Sequence, residues 1–224
     1  MQNKKITLIL TTIMCLTLSR PHAQTVKDVE GNIYPVVTIG TQVWMAENLR
    51  TTKFNDGTPI PLIKGESDWA VLHGQLNKPA FSWYNDDAKI DKGVYGGLYN
   101  WWAVKSNKLC PKDWHVPKDD EWAVLTNFLG GDTIAGGKLK ATGNAHWLDP
   151  NTGATNETKF NALPGGYHSF LGPYLYKGAV SYFWTSTEYD LHNSYFRLLY
   201  SDYTNVLRNF LYNTSGFCVR CVQD

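Results

Sequence analysis

The chain has 224 residues and a formal net charge of +1, with 21 Lys and Arg against 20 Asp and Glu. This balance disfavours a nucleic-acid ligand, because phosphate recognition needs a basic excess or stripe, and the many large apolar residues argue against disorder. Nine Trp, thirteen Tyr and nine Phe stand beside 19 Gly and 10 Pro, which predicts short strands and turns rather than long helices.

Residues 1–23 have the pattern of a secretory signal peptide. Lys4 and Lys5 form a positive start, an apolar stretch follows over 6–18, and a short polar segment ends at Ala23, after which we predict cleavage. About 13 apolar residues are too few for a membrane-spanning helix, which needs roughly 20. We therefore expect 24–224 to be exported as one domain without a transmembrane segment: secreted, periplasmic or on the outer cell surface.

The first half of this domain predicts short strands and ordered loops. A hairpin is expected from 26–29 and 33–39 around a Glu-Gly-Asn turn, followed by a short strand at 43–45. Residues 57–100 show no sustained periodicity and are rich in turn formers. They predict long ordered loops with a few short strands.

The strongest helix signal covers 117–130, with shorter helices expected at 99–104 and 134–140. Acidic residues occupy the first turn of the main helix, where its dipole favours them, and two glycines end it. Its apolar residues predict one buried stripe: Trp122, Leu125, Phe128 and Leu129.

The last part of the chain has a β pattern. Strands are expected at 181–186, 194–200, 205–211 and 216–222. The turn-like residues between them predict an antiparallel meander.

Three cysteines follow the predicted cleavage site: Cys110, Cys218 and Cys221. Export implies an oxidising compartment, in which disulfides persist. In a strand over 216–222, alternation places Cys221 on the face that carries Phe and Val, the better candidate for the core, and Cys218 on the other face. We therefore predict a Cys110–Cys221 disulfide and a free Cys218. The rival hypothesis is a Cys218–Cys221 redox or metal pair, which the opposite faces disfavour.

Two groups of residues are candidates for ligand binding, and both have a structural alternative. One loop is rich in side chains with oxygen ligands, which suggest a calcium site. Such residues are also ordinary turn formers. They are Asn85, Asp86, Asp87 and Asp91. Four aromatic residues lie in loop-like stretches: Trp69, Trp83, Trp147 and Tyr174. If exposed, they would suit a sugar or a protein partner, and otherwise they would pack in the core. His115, beside the start of the main helix, is predicted to be structural, and no catalytic set stands out.

Several segments, in order along the chain, resemble the Fibrobacter succinogenes major paralogous domain, a module of secreted bacterial proteins. They are DVEGNIY (28–34), IGTQVWMAENL (39–49), YGGLYNWWAV (95–104), LCPKDWHVP (109–117), DEW (120–122), FNALPGG (160–166), FWTSTE (183–188) and GFCVRC (216–221). The resemblance implies a C-type-lectin-like fold, related to the formylglycine-generating fold, and a disulfide between Cys110 and Cys221. It also implies a cell-surface or fimbria-associated protein, and it carries no catalytic residues.

Two positions depart from the family pattern. Cys218 stands where a Ser-like residue is usual, which adds a free thiol. Lys118 stands at the helix cap in place of Thr or Ser, so we expect the capping role to pass to Asp119.

The sequence thus predicts an exported α+β domain of C-type-lectin-like type that binds without catalysis and serves in adhesion, with a carbohydrate or a surface protein as ligand. One alternative is a formylglycine-generating-like thiol oxidoreductase that uses Cys218 and Cys221. Another is a structural subunit of a surface appendage, which predicts self-association or an exposed strand edge.

Overall fold

The computed structural model describes residues 24–224, so the predicted signal peptide lies outside the described residues. The strands are β1 (Thr25–Lys27), β2 (Ile33–Ile39), β3 (Gln42–Met45), β4 (Phe81–Ser82), β5 (Leu98–Tyr99), β6 (Trp114–His115), β7 (Tyr167–His168), β8 (Tyr174–Leu175), β9 (Val180–Glu188), β10 (Asn193–Tyr200), β11 (Leu207–Tyr212) and β12 (Val222–Gln223). The helices are α1 (Glu66–Ala70), α2 (Ala88–Val94), α3 (Trp101–Lys105), α4 (Asp119–Phe128) and α5 (Asp132–Leu139). The fold is therefore α+β, with small antiparallel sheets and short helices.

One sheet joins the two ends of the described chain in the order β1-β2-β3-β12-β6. The predicted hairpin of β1 and β2 is confirmed. Its turn is held by the Asp28 carboxylate, which accepts hydrogen bonds from the N–H groups of Glu30 and Asn32 at 2.9 Å each. Gly31 adopts φ 86°, a conformation that costs glycine little.

A second sheet has the order β11-β10-β9 and is antiparallel throughout. It confirms three strands of the predicted meander. The fourth was placed wrongly, because β12 pairs with β3 and β6 in the first sheet. The segment before β12 instead makes isolated bridges to β5, β7 and β9.

The segment 216–222 passes between two hydrophobic clusters. Phe217, Val219 and Cys221 belong to the cluster that contains Trp101 and Trp184. Cys218 and Val222 belong to the cluster built around Trp44 and Trp122. The predicted alternation is confirmed, and the Phe/Val face is in the core as predicted, but the other face is buried as well.

Helix α4 lies against β9 and β10 and confirms the main helix. Trp122, Leu125 and Leu129 are buried, whereas Phe128 is 64% exposed. At 3.6 residues per turn, Phe128 lies about 120° around the helix from Trp122, at the margin of the buried stripe. The prediction that Phe128 is buried is therefore wrong.

The start of α4 is capped differently from the prediction. Lys118 is the N-cap residue, and its N–H donates to the Glu121 carboxylate at 2.7 Å. The Asp119 N–H donates to the hydroxyl of Thr187 on β9 at 3.0 Å. The Asp119 carboxylate does not cap the helix, because two arginines of β10 and β11 bind it.

Helices α3 and α5 confirm the two shorter predictions within about two residues, an ordinary margin for helix ends. Helices α1 and α2 fall within 57–100, so the prediction of loops there is wrong at these two places. Helix α2 begins at the Asp87 carboxylate, which accepts from the N–H groups of Lys89 and Ile90. Within 24–224 no helix combines the length and the apolarity needed to cross a membrane.

Two buried cations attach loops to this framework. The Lys140 ammonium donates to the backbone carbonyls of Thr152, Tyr200 and Tyr203 at 2.9 Å each. The Arg220 guanidinium donates to three backbone carbonyls and to a side-chain amide oxygen. Because buried polar groups need partners, these contacts fix the loops that they join.

Candidate functional site

The cysteines are paired as predicted. Cys110 and Cys221 form a disulfide with their Cα atoms 6.0 Å apart, and Cys218 is a buried free thiol. Burial raises the pKa of Cys218 to about 12, so the reactive thiolate is suppressed. The thiol oxidoreductase alternative needed Cys218 and Cys221 as two reactive neighbours. That requirement is contradicted, because Cys221 is oxidised and Cys218 is inaccessible.

Three of the four aromatic candidates are buried. Trp69, Trp83 and Trp147 are at most 4% exposed, so the structural alternative holds for these three and they offer no open ring to a ligand. Trp83 and Trp147 lie in loops that fold over the two hydrophobic clusters, and Trp69 is buried on helix α1. Tyr174 is half-buried.

Two of these residues meet around a buried histidine. The rings of Trp69 and Tyr174 stack on His168, with centroids 4.2 and 3.9 Å away. The Ser82 hydroxyl lies 2.8 Å from His168 Nδ1. Burial lowers the pKa of His168 to about 3, so the imidazole is neutral. Because Ser82 and His168 are fully buried, this pair is part of the core and is closed to a substrate.

The oxygen ligands of the predicted calcium loop are used in separate contacts. Asp86 accepts from the Gly65 N–H and the Tyr174 hydroxyl. Asp87 caps α2, and Asp91 is buried in an ion pair with Lys177. Asn85 adopts a left-handed conformation with φ 49° in the preceding turn. The part of the chain that the structure describes contains no group of three or more His, Cys, Asp or Glu able to hold a metal ion. Calcium binding stays a prediction, without support from these contacts.

A different surface has the features of a binding site. A cleft of about 250 Å³ opens where four loops and turns meet: the loop after α1, the start of α3, the β9–β10 turn and the turn after β11. Its lining residues are His73, Gly74, Gln75, Leu76, Trp102, His192, Tyr212, Asn213 and Thr214. We call this feature the cleft.

Backbone hydrogen bonds fix the floor of the cleft. The Asn213 N–H donates to the His192 carbonyl at 2.7 Å, and the Trp101 N–H donates to the Asn213 carbonyl at 2.8 Å. The turn after β11 is thereby tied both to the neighbouring turn and to α3. A site with a backbone held in this way needs little reorganisation when a ligand binds.

Three buried polar atoms beside the cleft have no hydrogen-bond partner within the described chain: Trp102 Nε1, Asn213 Oδ1 and Thr214 Oγ1. They are a donor, an acceptor and a hydroxyl that can do either. A buried polar atom without a partner costs about 1–3 kcal/mol. These three atoms are buried within residues that line the cleft, so a ligand or water reaches them only after the side chains move.

An aromatic stripe leads away from the cleft along β11. We define it as Tyr189, Phe210 and Tyr212, which are 48%, 40% and 38% exposed. Tyr189 and Phe210 stack in parallel with centroids 3.8 Å apart. Phe210 and Tyr212 share one face of β11 because they are two residues apart. Tyr212 also lines the cleft, where His73 packs against it.

The cleft and the stripe are nearly free of formal charge. Among the described residues, none that lines the cleft is Asp, Glu, Lys or Arg. Arg208, beside the stripe, lies over the Tyr195 ring at 3.7 Å and pairs with Asp119 at 2.6 Å. Its guanidinium is therefore already paired within the protein, and the surface favours a neutral ligand.

A second cleft, of about 220 Å³, lies beside the disulfide and includes Trp114 and His115 in its lining. The two His115 ring nitrogens lie 2.6 Å from the Asp224 carboxylate and 2.9 Å from that of Glu121. His115 is thus occupied by structural contacts, as predicted.

The sequence analysis missed the residues of the cleft and the stripe. One signal was available: Phe210, inside the strand predicted at 205–211, and Tyr212, directly after it, alternate with Asn209 and Leu211, and a polar turn follows. Alternation alone does not show which face of such a strand is exposed to solvent.

Comparison with known families assigns the chain. The family model of the Fibrobacter succinogenes major domain matches residues 37–223. No curated protein and no solved structure matches the chain. The match spans most of the chain and includes every strand from β3 to β12, and it confirms the resemblance seen in the sequence. The chain therefore belongs to the Fibrobacter succinogenes major domain family.

Proposed function

We propose that this protein is an exported, non-catalytic binding module with a C-type-lectin-like fold, acting in adhesion at or outside the cell surface, and that its cleft binds a carbohydrate. The observation that carries the proposal is an uncharged cleft with exposed polar side chains and an aromatic rim. His73 and His192 supply exposed ring nitrogens, and Tyr212 supplies an exposed ring. The predicted signal peptide supports the export.

A sugar suits this surface better than a protein side chain does. A pyranose ring has an apolar face that can pack on Tyr212. Its rim carries hydroxyls, and each hydroxyl both donates and accepts hydrogen bonds. These hydroxyls can bond to the exposed side chains of the cleft lining, such as those of His73 and His192. The absence of formal charge in the cleft lining, within the described chain, argues against phosphate and carboxylate ligands.

Glycan-array binding of the folded protein from residue 24 onward tests this proposal. We expect wild type to bind a set of neutral glycans. His192→Ala removes one exposed polar side chain from the cleft lining, and Tyr212→Ala removes the aromatic rim. Each change should weaken binding about tenfold, which corresponds to about 1.4 kcal/mol.

Tyr203→Ala is the matched control, because Tyr203 is exposed but lies at the opposite end of the β10–β11 hairpin. It should bind like wild type. The proposal is wrong if no neutral glycan binds, or if Tyr203→Ala weakens binding as much as Tyr212→Ala does.

A second candidate function is a structural subunit of a surface appendage, and the position of β11 favours it. No strand within 24–224 pairs with the outer side of β11, which lies at the edge of its sheet. Five of its six residues are exposed. An open strand edge is a template for pairing with another chain.

Light scattering after size-exclusion chromatography tests this second candidate over a range of concentrations. An appendage subunit should self-associate, and Leu207→Lys, which adds a charge on β11, should prevent it. A wild type that stays monomeric at the highest concentration would rule the candidate out. Leu62→Lys, at an exposed leucine far from β11 in sequence, is the control and should leave the association unchanged.

A further inference from the structure

We infer that the aromatic stripe extends the cleft into a platform for several units of a neutral, linear oligosaccharide. This inference rests on the proposed function and adds the length and shape of the ligand. The cleft would hold one end of the chain, and Tyr212 and the stacked Tyr189–Phe210 pair would each carry one of the units that follow.

The spacing along β11 requires more than one sugar unit. Phe210 and Tyr212 lie two residues apart on an extended strand, which separates them by about 7 Å. One sugar ring cannot stack on both side chains at that separation. A ligand that uses the whole stripe must therefore be a chain that runs along the strand.

The stripe is held in shape by its neighbours. Tyr189 stacks on Phe210 and meets the ring of Tyr195 edge-on, with centroids 5.4 Å apart. At the other end, Tyr212 packs against Phe170 and His73 at 4.5 and 4.9 Å. Side chains packed in this way lose little freedom on binding, which favours affinity.

The surroundings of the stripe favour a neutral chain. Arg208 is paired with the Asp119 carboxylate, which Arg197 also binds, and the amide oxygen of Asn209 accepts from the Phe210 N–H at 2.8 Å. The cation nearest the stripe is therefore already engaged within the protein. Exposed rings without charge suit the apolar faces of neutral sugar units.

The test is binding of graded oligosaccharides measured by calorimetry. The probes are β-1,4-linked glucose, xylose and N-acetylglucosamine oligomers, each from the monomer to the hexamer. For one of these series we expect affinity to rise at least about tenfold with chain length. Phe210→Ala should abolish that rise, an effect of the size expected for one aromatic contact. It should leave monomer binding unchanged.

Two further variants make the result specific. Phe128→Ala removes an exposed phenylalanine at the end of α4 and should bind every length like wild type. Tyr189→Ala removes the stacking partner from a turn, so it tests the stripe without altering β11, and it should reduce the affinity for long oligomers alone.

The outcomes separate the two proposals. If monomers bind but affinity does not depend on length, the extended platform is wrong and the cleft remains the binding site. If neither monomers nor oligomers bind, both the platform and the proposed function are wrong. Equal losses for Phe128→Ala and Phe210→Ala would also overturn the platform.

Discussion

Removing the Cys110–Cys221 disulfide should be among the most destabilising changes to this domain. The bond joins residues that are 111 positions apart. The chain-entropy model assigns about 5 kcal/mol at 25 °C to a loop of this length. We therefore expect a variant with Cys110→Ala and Cys221→Ala to lose about 5 kcal/mol of its free energy of unfolding.

Urea unfolding followed by tryptophan fluorescence measures this loss. Eight of the nine tryptophans are buried, so their emission should change sharply when the core opens. With an m-value of about 3 kcal/mol/M, at the upper end for small proteins, the midpoint should fall by roughly 2 M. Reducing agent should lower the midpoint of wild type by the same amount once the disulfide has opened.

Cys218→Ala is the control for the loss of a buried sulfur without a change in chain connectivity. It should cost about 1 kcal/mol, the ordinary size for a small buried truncation. If the double variant loses no more than this control, the argument from loop closure is refuted. An alkylating label should leave native wild type unmodified and should react with Cys218 after unfolding without reductant.

Three more predictions concern the framework. Lys140→Met should cost about 3 kcal/mol in urea unfolding, because several buried carbonyls lose their donor; no loss would show that these carbonyls are otherwise satisfied. Gly136→Ala should destabilise by about 2 kcal/mol although Ala favours helices, because its Cβ would lie 2.3 Å from a backbone oxygen; a rise in the melting temperature would contradict this steric argument. Burial disfavours the charged form of His115, but hydrogen bonds to Asp224 and Glu121 together outweigh the effect of burial and raise the pKa of His115. The stability from that charge should be complete below pH 6.5 and lost as the pH rises through the raised pKa, so His115→Gln should lower the melting temperature more at pH 5.5 than at pH 9, and an equal effect at both would refute it.

The sequence predicted best those elements whose pattern is local. The β1–β2 hairpin follows from turn chemistry at Gly31, and α4 follows from the 3.6-residue period of Trp122, Leu125 and Leu129. Helix α2 was missed because it is short and depends on the Asp87 cap and on the burial of Asp91 against Lys177. A contact between residues so far apart in sequence leaves no local signal.

Burial was harder to predict than secondary structure. Alternation over 216–222 correctly separated Cys218 from Cys221, yet both faces are buried because the segment lies between two hydrophobic clusters. Conversely, the loop position of Trp69 suggested exposure, and tertiary packing placed it on His168. Periodicity reports which residues share a face, and only the assembled fold determines what covers that face.

The same reasoning explains why the stripe is open. One face of the β11-β10-β9 sheet carries both Leu199, buried with α4, and Tyr195, which lies near the stripe. The start of α4 limits how far the helix covers this face, and Glu121 and Thr187 fix that start through hydrogen bonds to the backbone. Asp119, the first residue of α4, binds the arginines of β10 and β11. Tyr195 and Phe210 therefore lie on the part of this face next to the Arg208–Asp119 contact, where they pack on Tyr189 and leave the stripe exposed.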